Sequence, residues 1–308
     1  MNPFNYLVVN TTNRCNTICK YCFQSADSFK NGEDYLDFER FKSVIDFTMP
    51  KAGQHKIVHF TGGEPMLNKH FFDMLDYAIK CGYIIRIQTN GLLLNDCDSK
   101  EMDLLSRPNV SLKISLDGAT AEQHHYLRQK GTFDRVIAAI QKATQYNKVV
   151  GIKTCVHKLN LEHLGDLLDF CVESNVAGFS YNVIRREGSA LRLDPSCCEG
   201  IDEFEIVKRL VPYFNQPKYQ YLLNGNQIAM YYFSNSHLIA SSCHFYIDYD
   251  GRIYSYQECL PEQYIGDLKN GNLEEQFNAE LAIKLRYVKS TTPEIIQYVK
   301  DNLMLQLK

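Results

Sequence analysis

The stretch Arg14–Phe23, RCNTICKYCF, carries three cysteines within eight positions, directly after the β-rich run Tyr6–Thr11. A loop that follows a strand of a parallel sheet lies at the carboxyl end of that sheet, where barrel folds carry their chemistry. In a reducing compartment, clustered cysteines are more often metal ligands or catalytic groups than disulfide partners. The stretch therefore predicts a metal site on a loop between a strand and a helix.

The number of cysteines in this loop limits the kinds of metal site that it can form. A cubane iron–sulfur cluster held by only three cysteines, here Cys15, Cys19 and Cys22, keeps one iron open for another ligand, whereas a structural zinc site needs four closed ligands. An open iron indicates reactivity. Taken alone, the loop is also compatible with a partial zinc site or with three unrelated thiols.

Short β-rich runs alternate with helical patterns over the first part of the chain, which is typical of stacked βα units. Strands are predicted at Tyr6–Thr11, Lys56–Thr61, Ile84–Thr89, Val110–Leu116, Val149–Val156 and Phe179–Ile184. We interpret them as buried parallel strands with little polar interruption. The pattern predicts an α/β protein in which residues 1–190 form a partial (β/α)6 barrel of the TIM type.

The βα rhythm stops near residue 190, which predicts a second domain over residues 191–308. Two alternating runs, Phe245–Tyr249 and Arg252–Tyr256, are joined by Asp-Gly, a dipeptide typical of a tight hairpin. A helix is predicted near Asp202–Tyr213, and two more are predicted in the tail Leu273–Lys308. We therefore expect a small C-terminal domain made of a β-hairpin and helices.

Composition excludes several classes of protein. A chain of 308 residues with 45% hydrophobic content can bury a large core, which excludes disorder. We find no apolar run long enough for a membrane span and no secretory leader, so we expect a cytoplasmic protein that does not bind membranes. A net charge of −3 does not favour a nucleic acid partner.

The cysteine loop resembles the hallmark C-x3-C-x2-C motif of the radical S-adenosylmethionine (radical SAM) superfamily, which ends in an aromatic residue. The resemblance covers residues 5–190. It implies that Cys15, Cys19 and Cys22 bind a [4Fe-4S] cluster and that Phe23 contacts the cofactor. The implied reaction is reductive cleavage of SAM to a 5′-deoxyadenosyl radical, which takes a hydrogen atom from the substrate. A flavodoxin- or ferredoxin-like protein is the expected electron donor.

Other motifs of the family follow other strands in the same order. The resemblance implies that SAM is contacted by Gly62, Gly63 and Glu64 at its amino group, by Ser115 and Asp117 at its ribose, and by Arg128 at its carboxylate. From the residues alone, a strand-to-helix turn at Gly62–Pro65 and a solvated Arg128 are the alternatives. Asn90 and Asn160 also recur in relatives, although each is equally well explained as a turn residue.

The segment from Cys243 to Leu268 resembles the hairpin that opens the SPASM and Twitch auxiliary-cluster domains. Cys259 comes three residues later than its counterpart in relatives, and no cysteine follows it, which excludes a full SPASM domain. One hypothesis is a single auxiliary cluster on Cys243, Cys259 and either Cys197 or Cys198, with the spare thiol of that pair donating a hydrogen atom. The alternative is four ordinary small hydrophobic residues.

The resemblance favours a peptide maturase that epimerises or cross-links a ribosomally made peptide. Because the Cys15 loop starts so early, no N-terminal leader-binding domain is expected, and a separate leader-binding protein is a candidate partner. Two alternatives stay open. One is a dehydrogenase, decarboxylase or epimerase that acts on a sugar or nucleoside, and the other is a non-catalytic iron–sulfur carrier or binding protein.

Overall fold

The computed structural model describes residues 6–23, 35–52, 56–147, 149–223, 238–240, 244–254, 264–268, 288–290 and 293–304. Its central feature is a sheet in which six parallel strands lie side by side in chain order. Their bounds are β1 Tyr6–Asn10, β2 Ile57–Thr61, β3 Ile84–Thr89, β4 Val110–Ser115, β5 Val150–Val156 and β6 Gly178–Val183. This confirms all six predicted strands and the expected partial barrel.

One helix follows each of β1, β2, β3 and β5, and two helices follow β4. The helices of this part are α1 Phe38–Thr48, α2 Phe71–Lys80, α3 Ser99–Leu105, α4 Ala121–Leu127, α5 Phe133–Tyr146 and α6 Leu164–Glu173. Side-chain caps fix several of their starts. Asp98 and Glu101 form a capping box at α3, and Thr120 and Gln123 form one at α4.

The side chains of the barrel strands alternate between two faces. On what we call the outer face, apolar residues such as Ile85, Leu112 and Ile152 are fully or almost fully buried in one core with the helices. The residues between them lie on the inner face, the face turned toward the barrel interior, and many of them are polar. Our expectation of strands with little polar interruption was therefore wrong for β3, β4 and β5, because only one face of each is packed on helices.

The C-terminal region adds further elements. They are α7 Glu203–Phe214, α8 Pro217–Gln220, β7 Leu238–Ala240, β8 His244–Ile247, β9 Arg252–Tyr254, β10 Tyr264–Asp267, β11 Val288–Ser290 and α9 Pro293–Asn302. The predicted hairpin is confirmed as the antiparallel pair β8–β9, and α7 matches the predicted helix. Of the two helices predicted in the tail, α9 is described, whereas residues 273–287 lie outside the described ranges.

The hairpin joins the barrel sheet. Strand β8 pairs in parallel with β1, with Tyr6 opposite His244 and Val9 opposite Ile247. The sheet therefore continues past β1 into β8, β9 and β10 and reaches nine strands. The domain boundary near residue 190 stays a prediction.

None of the helices within the described ranges combines the length and the apolar character that a membrane span requires.

Candidate functional site

The three cysteines of the loop after β1 lie at the carboxyl end of the barrel. Cys15, Cys19 and Cys22 form no disulfide with any residue that the structure describes, and each is half-buried. The amide of Cys22 donates to the carbonyl of Cys19 at 3.1 Å, which closes a turn between the second and third thiols. The spacing in the sequence therefore becomes a compact loop with its sulfur atoms at the mouth of the barrel.

The loop after β2 packs directly on the cysteine loop. The amide of Gly63 donates to the carbonyl of Thr12, and that of Glu64 donates to the carbonyl of Arg14, both at 2.8 Å. A Cβ atom at Gly63 would lie 2.1 Å from the Arg14 carbonyl oxygen, so only glycine allows this approach. The Gly-Gly pair thus fixes the entrance of the cysteine loop.

Two further segments hold the same loop from other sides. The amide of Lys20 donates to the last carbonyl of α4 at 2.8 Å, and the amide of Ser189, after β6, donates to the carbonyl of Cys22 at 2.8 Å. Gly188 has a φ of +56°, and a Cβ there would lie 2.2 Å from the carbonyl oxygen of Phe23. Segments after β2, β4 and β6 therefore support the cysteine loop.

Polar side chains point N–H groups at two of the thiols. The Asn90 side-chain amide lies 3.7 Å from Cys15 Sγ, and Arg128 Nη1 lies 3.5 Å from Cys19 Sγ. Such donors stabilise negative charge on the sulfurs of an iron–sulfur cluster and tune its potential. Asn90 also accepts from the amide of Leu92 at 2.9 Å, so it closes a turn as well. The donor set around these thiols fits an anionic, sulfur-ligated cluster.

The same thiols do not form a site for a single metal ion. Within the described ranges, no group of three or more His, Cys, Asp or Glu side chains is arranged to hold one ion. In a cubane cluster each cysteine binds a different iron, so its ligands lie farther apart than the ligands of one ion. Burial raises the pKa of Cys15 to about 12 and that of Cys19 to about 11. The arrangement favours a cluster over the partial zinc site that we considered.

Asp117 and Arg128 form a buried ion pair beside the loop. Arg128 Nε donates to Asp117 Oδ2 at 2.5 Å, and the Tyr21 hydroxyl donates to the same oxygen at 2.6 Å. Burial opposes both charges, but Arg128 and the hydrogen bonds keep the pKa of Asp117 below its ordinary value. Arg128 is only 9% exposed, so it is not the solvated loop residue of our alternative interpretation.

Glu64 ties the end of β2 to the end of β3. Its carboxylate accepts from the Thr89 hydroxyl and from the Asn90 amide, both at 2.8 Å. Burial raises its pKa to about 7, although these hydrogen bonds oppose the rise. Glu64 therefore positions Asn90, which in turn reaches Cys15. A contact between Glu64 and the amino group of SAM stays a prediction.

The remaining predicted cofactor contacts lie close by. Ser115 ends β4 on the inner face, where its hydroxyl accepts from the Gln88 side chain at 3.2 Å. Asn160 donates to the Asp117 carbonyl at 2.8 Å and thereby joins the ends of β4 and β5. Phe23 is 44% exposed at the end of the cysteine loop. All of these residues are at the carboxyl ends of the strands, as predicted.

Of the four cysteines in the proposed auxiliary site, the structure describes Cys197 and Cys198, and these two differ in burial. Cys197 is buried, with its carbonyl accepting from the Lys158 amide at 2.9 Å, while Cys198 is half-buried. Cys198 packs against a small cluster formed by Leu127, Ile184 and Ala190. Cys243 and Cys259 lie outside the described residues. An auxiliary cluster on these four cysteines stays a prediction.

The sequence analysis missed several residues of the inner face. We interpreted Cys155 as a core or spare thiol, yet its amide donates to Asp117 Oδ1 at 2.8 Å. Lys113 and Lys153, on β4 and β5, were not singled out at all. The alternation of polar and apolar residues in VSLKIS and VGIKTCV was the available signal.

Comparison with known proteins identifies the barrel. The family model described as the Radical SAM superfamily matches residues 9–171. An uncharacterised protein of Methanocaldococcus jannaschii is 28% identical over 251 residues, covering 76% of this chain and 84% of that protein. GTP 3′,8-cyclase of Campylobacter jejuni subsp. doylei is 35% identical over 172 residues, covering 54% of this chain and 52% of the cyclase. The chain thus spans only about half the length of the cyclase.

A solved structure shares the fold over most of the chain. Native anSMEcpe with bound AdoMet and Cp18Cys peptide superposes with a TM-score of 0.71 at 20% sequence identity. The superposition covers 91% of this chain and 82% of that one. The likeness includes the C-terminal region as well as the barrel.

Proposed function

The chain belongs to the radical SAM superfamily, and on this premise we propose that it is an enzyme that removes a hydrogen atom from a substrate held in its barrel. The cofactors of the family are a [4Fe-4S] cluster and SAM. When bound, they supply a 5′-deoxyadenosyl radical through one-electron cleavage of SAM. The protein contributes binding, orientation and exclusion of water.

The observation that carries this proposal is the support of the cysteine loop. Cys15, Cys19 and Cys22 are the residues that would hold the cluster, and segments after β2, β4 and β6 hydrogen-bond to their loop. Donor groups of Asn90 and Arg128 reach two of the thiols. A loop of unrelated thiols would not need a glycine at position 63 or N–H donors aimed at sulfur.

Residues at the ends of β2 and β4 are proposed to bind SAM. Gly62 and Gly63 let the loop after β2 pack directly on the backbone of Thr12 and Arg14, which places the end of β2 beside the cysteine loop. Arg128 is fixed by Asp117, so its guanidinium is held in place before a carboxylate arrives. Asp117 acts here as a positioning residue, since three protein donors already occupy its oxygens.

For the substrate class we propose a peptide, modified by epimerisation or cross-linking. The support is the similar fold of anSMEcpe, which was solved with a bound peptide. A small molecule is the second candidate, because the sequence relatives of the barrel include GTP 3′,8-cyclase. In the peptide case, Cys198 is the better placed hydrogen donor of the Cys197/Cys198 pair, since it is half-buried and packs on the cluster of Leu127, Ile184 and Ala190, whereas Cys197 is buried.

The proposal is tested with a single cysteine variant and a matched control. In Cys19→Ala, purified and reconstituted without oxygen, we expect loss of the iron–sulfur absorbance and at least a roughly hundredfold decrease in 5′-deoxyadenosine formation under strong reductant. Cys81→Ala, at a half-buried thiol at the end of α2, is the control and should retain both. Equal iron content and equal product in the two variants would overturn the proposal.

A separate experiment addresses the auxiliary cluster and the hydrogen donor. About four irons remaining in a Cys15/Cys19/Cys22→Ala triple variant would establish a second cubane cluster, and near-zero iron would exclude it. If both Cys197→Ala and Cys198→Ala still invert a peptide residue at the normal rate, neither thiol is the donor.

A further inference from the structure

The inner face of β3, β4 and β5 carries a group of cations. Arg86, Lys113 and Lys153 occupy alternate positions on these three strands, between residues of the outer face. In the sheet register Gln88 lies opposite Lys113, and Ser115 lies opposite Lys153. Because residues opposite each other in a sheet share a face, the three cations project on the same side.

No acidic side chain within the described ranges forms an ion pair with these cations. Among the residues that the structure describes, Lys113 and Lys153 make neither an ion pair nor a hydrogen bond, and Arg86 reaches only the hydroxyl and the ring of Tyr6. The three carboxylates that are buried among the described residues, Glu64, Asp117 and Asp248, are already engaged, and Glu64 accepts from Thr89 and Asn90. Asp117 holds Arg128, and Asp248 accepts from the Asn10 side-chain amide at 2.6 Å.

The arrangement is costly for the folded protein. Burial, together with the repulsion of Lys153 and Arg86, lowers the pKa of Lys113 to about 8, and burial lowers the pKa of Lys153 as well. The attraction of an anion placed between these side chains would offset both the repulsion among the cations and their loss of hydration. The side-chain oxygen of Gln88 is also buried there and accepts no hydrogen bond from the part of the chain that the structure describes, so a ligand N–H or O–H group could donate to it.

The cations lie one layer below the radical-generating site. Lys153 precedes Cys155 by two residues on the same strand, and the Cys155 amide binds Asp117. Two residues of strand correspond to about 7 Å. A substrate anchored at the lysines would therefore extend toward the cysteine loop with its reactive end, where the hydrogen atom would be removed.

We propose that Lys113 and Lys153, assisted by Arg86, bind an anionic group of the substrate, a phosphate or a carboxylate. The inference rests on the proposed function, because it takes the barrel interior as the place where the substrate binds. The same chemistry can come from a phosphorylated small molecule or from a carboxylate on a small molecule or an acidic peptide. The site fixes which end of the substrate enters the barrel first.

The test measures anion binding directly. Inorganic phosphate and succinate are titrated by isothermal titration calorimetry into the anaerobically reconstituted enzyme with SAM, at pH 7. We expect one saturable site for at least one of these probes, weakened tenfold or more in Lys113→Met and in Lys153→Met, and retained in Lys113→Arg. Lys80→Met, at an exposed lysine paired with Asp76 on the outer surface of α2, should bind like the wild type.

The outcomes distinguish a phosphate ligand from a carboxylate ligand. They also distinguish failure of the anion site from failure of the proposed function. Tighter binding of phosphate assigns a phosphoryl group, and tighter binding of succinate assigns a carboxylate. Absence of saturable binding for both probes, or equal affinity in Lys113→Met and Lys80→Met, would overturn the anion site. Formation of 5′-deoxyadenosine by the wild-type enzyme is measured separately, so the loss of one result leaves the other interpretable.

Discussion

The outer and inner faces of the barrel sheet are formed by the same strands and have opposite characters. Leu112 and Ile114 on the outer face of β4 are buried in a continuous apolar core, while Ser111 and Lys113, which alternate with them along the strand, face the interior. A parallel sheet packed on both faces usually has apolar residues on both. Here one face specifies the fold, and the other is left to bind ligands at a cost in stability.

The largest expected effect comes from breaking the buried ion pair between Asp117 and Arg128 at the carboxyl end of the inner face. Asp117→Asn leaves the Arg128 guanidinium buried without a charged partner, which should lower the free energy of unfolding by about 3–5 kcal/mol. Urea unfolding followed by circular dichroism measures the change. Asp103→Asn, which removes an exposed ion pair with Arg107, is the control and should change stability by less than about 1 kcal/mol. Similar losses in the two variants would contradict a buried, structure-holding pair.

The next test compares adjacent residues on opposite faces of β4. Leu112→Ala removes a side chain buried in the outer core and should cost about 3 kcal/mol, since the cavity is lined by packed helices. Ser111→Ala removes only a hydrogen bond to the Ile85 carbonyl and should cost about 1 kcal/mol. The same unfolding assay applies. If the serine variant loses as much as the leucine variant, the two faces do not differ in the way described.

The smallest expected effect is an increase in stability rather than a loss. Lys113→Met should raise the free energy of unfolding at pH 7 by about 1 kcal/mol, a value reduced from the full pKa shift because the lysine is only half-buried. The folded-state pKa of about 8 lies below the ordinary 10.5, so the wild-type protein gains stability as the pH rises between these values.

The difference between Lys113→Met and the wild type should therefore be largest below pH 8 and vanish near pH 10.5. Thermal unfolding across this pH range, with Lys80→Met as the control, checks the prediction. A variant that is less stable than the wild type at pH 7 would show that Lys113 stabilises the fold.

Much of the site could be predicted from the sequence, because its motifs consist of residues that are close together in the chain. The cysteine spacing, the Gly62–Gly63 pair and the order of strands placed the loop residues correctly at the carboxyl ends of the strands. The hydrogen-bond and ion-pair partners of those residues could not be predicted from the sequence. Pairing of Asp117 with Arg128, or of Asn90 with Cys15, depends on how neighbouring loops pack, and no local pattern encodes that.

The sequence analysis overlooked the inner-face lysines, Lys113 and Lys153, for a different reason. We judged β4 and β5 by their overall composition, which is mostly apolar. We therefore overlooked the period-two alternation of Ser111, Lys113 and Ser115 in β4. The alternation alone would have indicated one polar face. Which face the helices cover becomes known only when the strands are assembled into a sheet.

The pairing of β8 with β1 has a consequence for how the protein is made. β1 obtains its second neighbour only when residues 244–247 arrive, and the Asn10–Asp248 hydrogen bond spans 238 positions of the chain. At ordinary rates of translation this delay is roughly 10–50 s. During that time the strand that leads into the cysteine loop has an open edge, which is prone to wrong pairing. Synthesis of β8 therefore sets the earliest moment at which β1, and with it the start of the cysteine loop, has a neighbour on both sides.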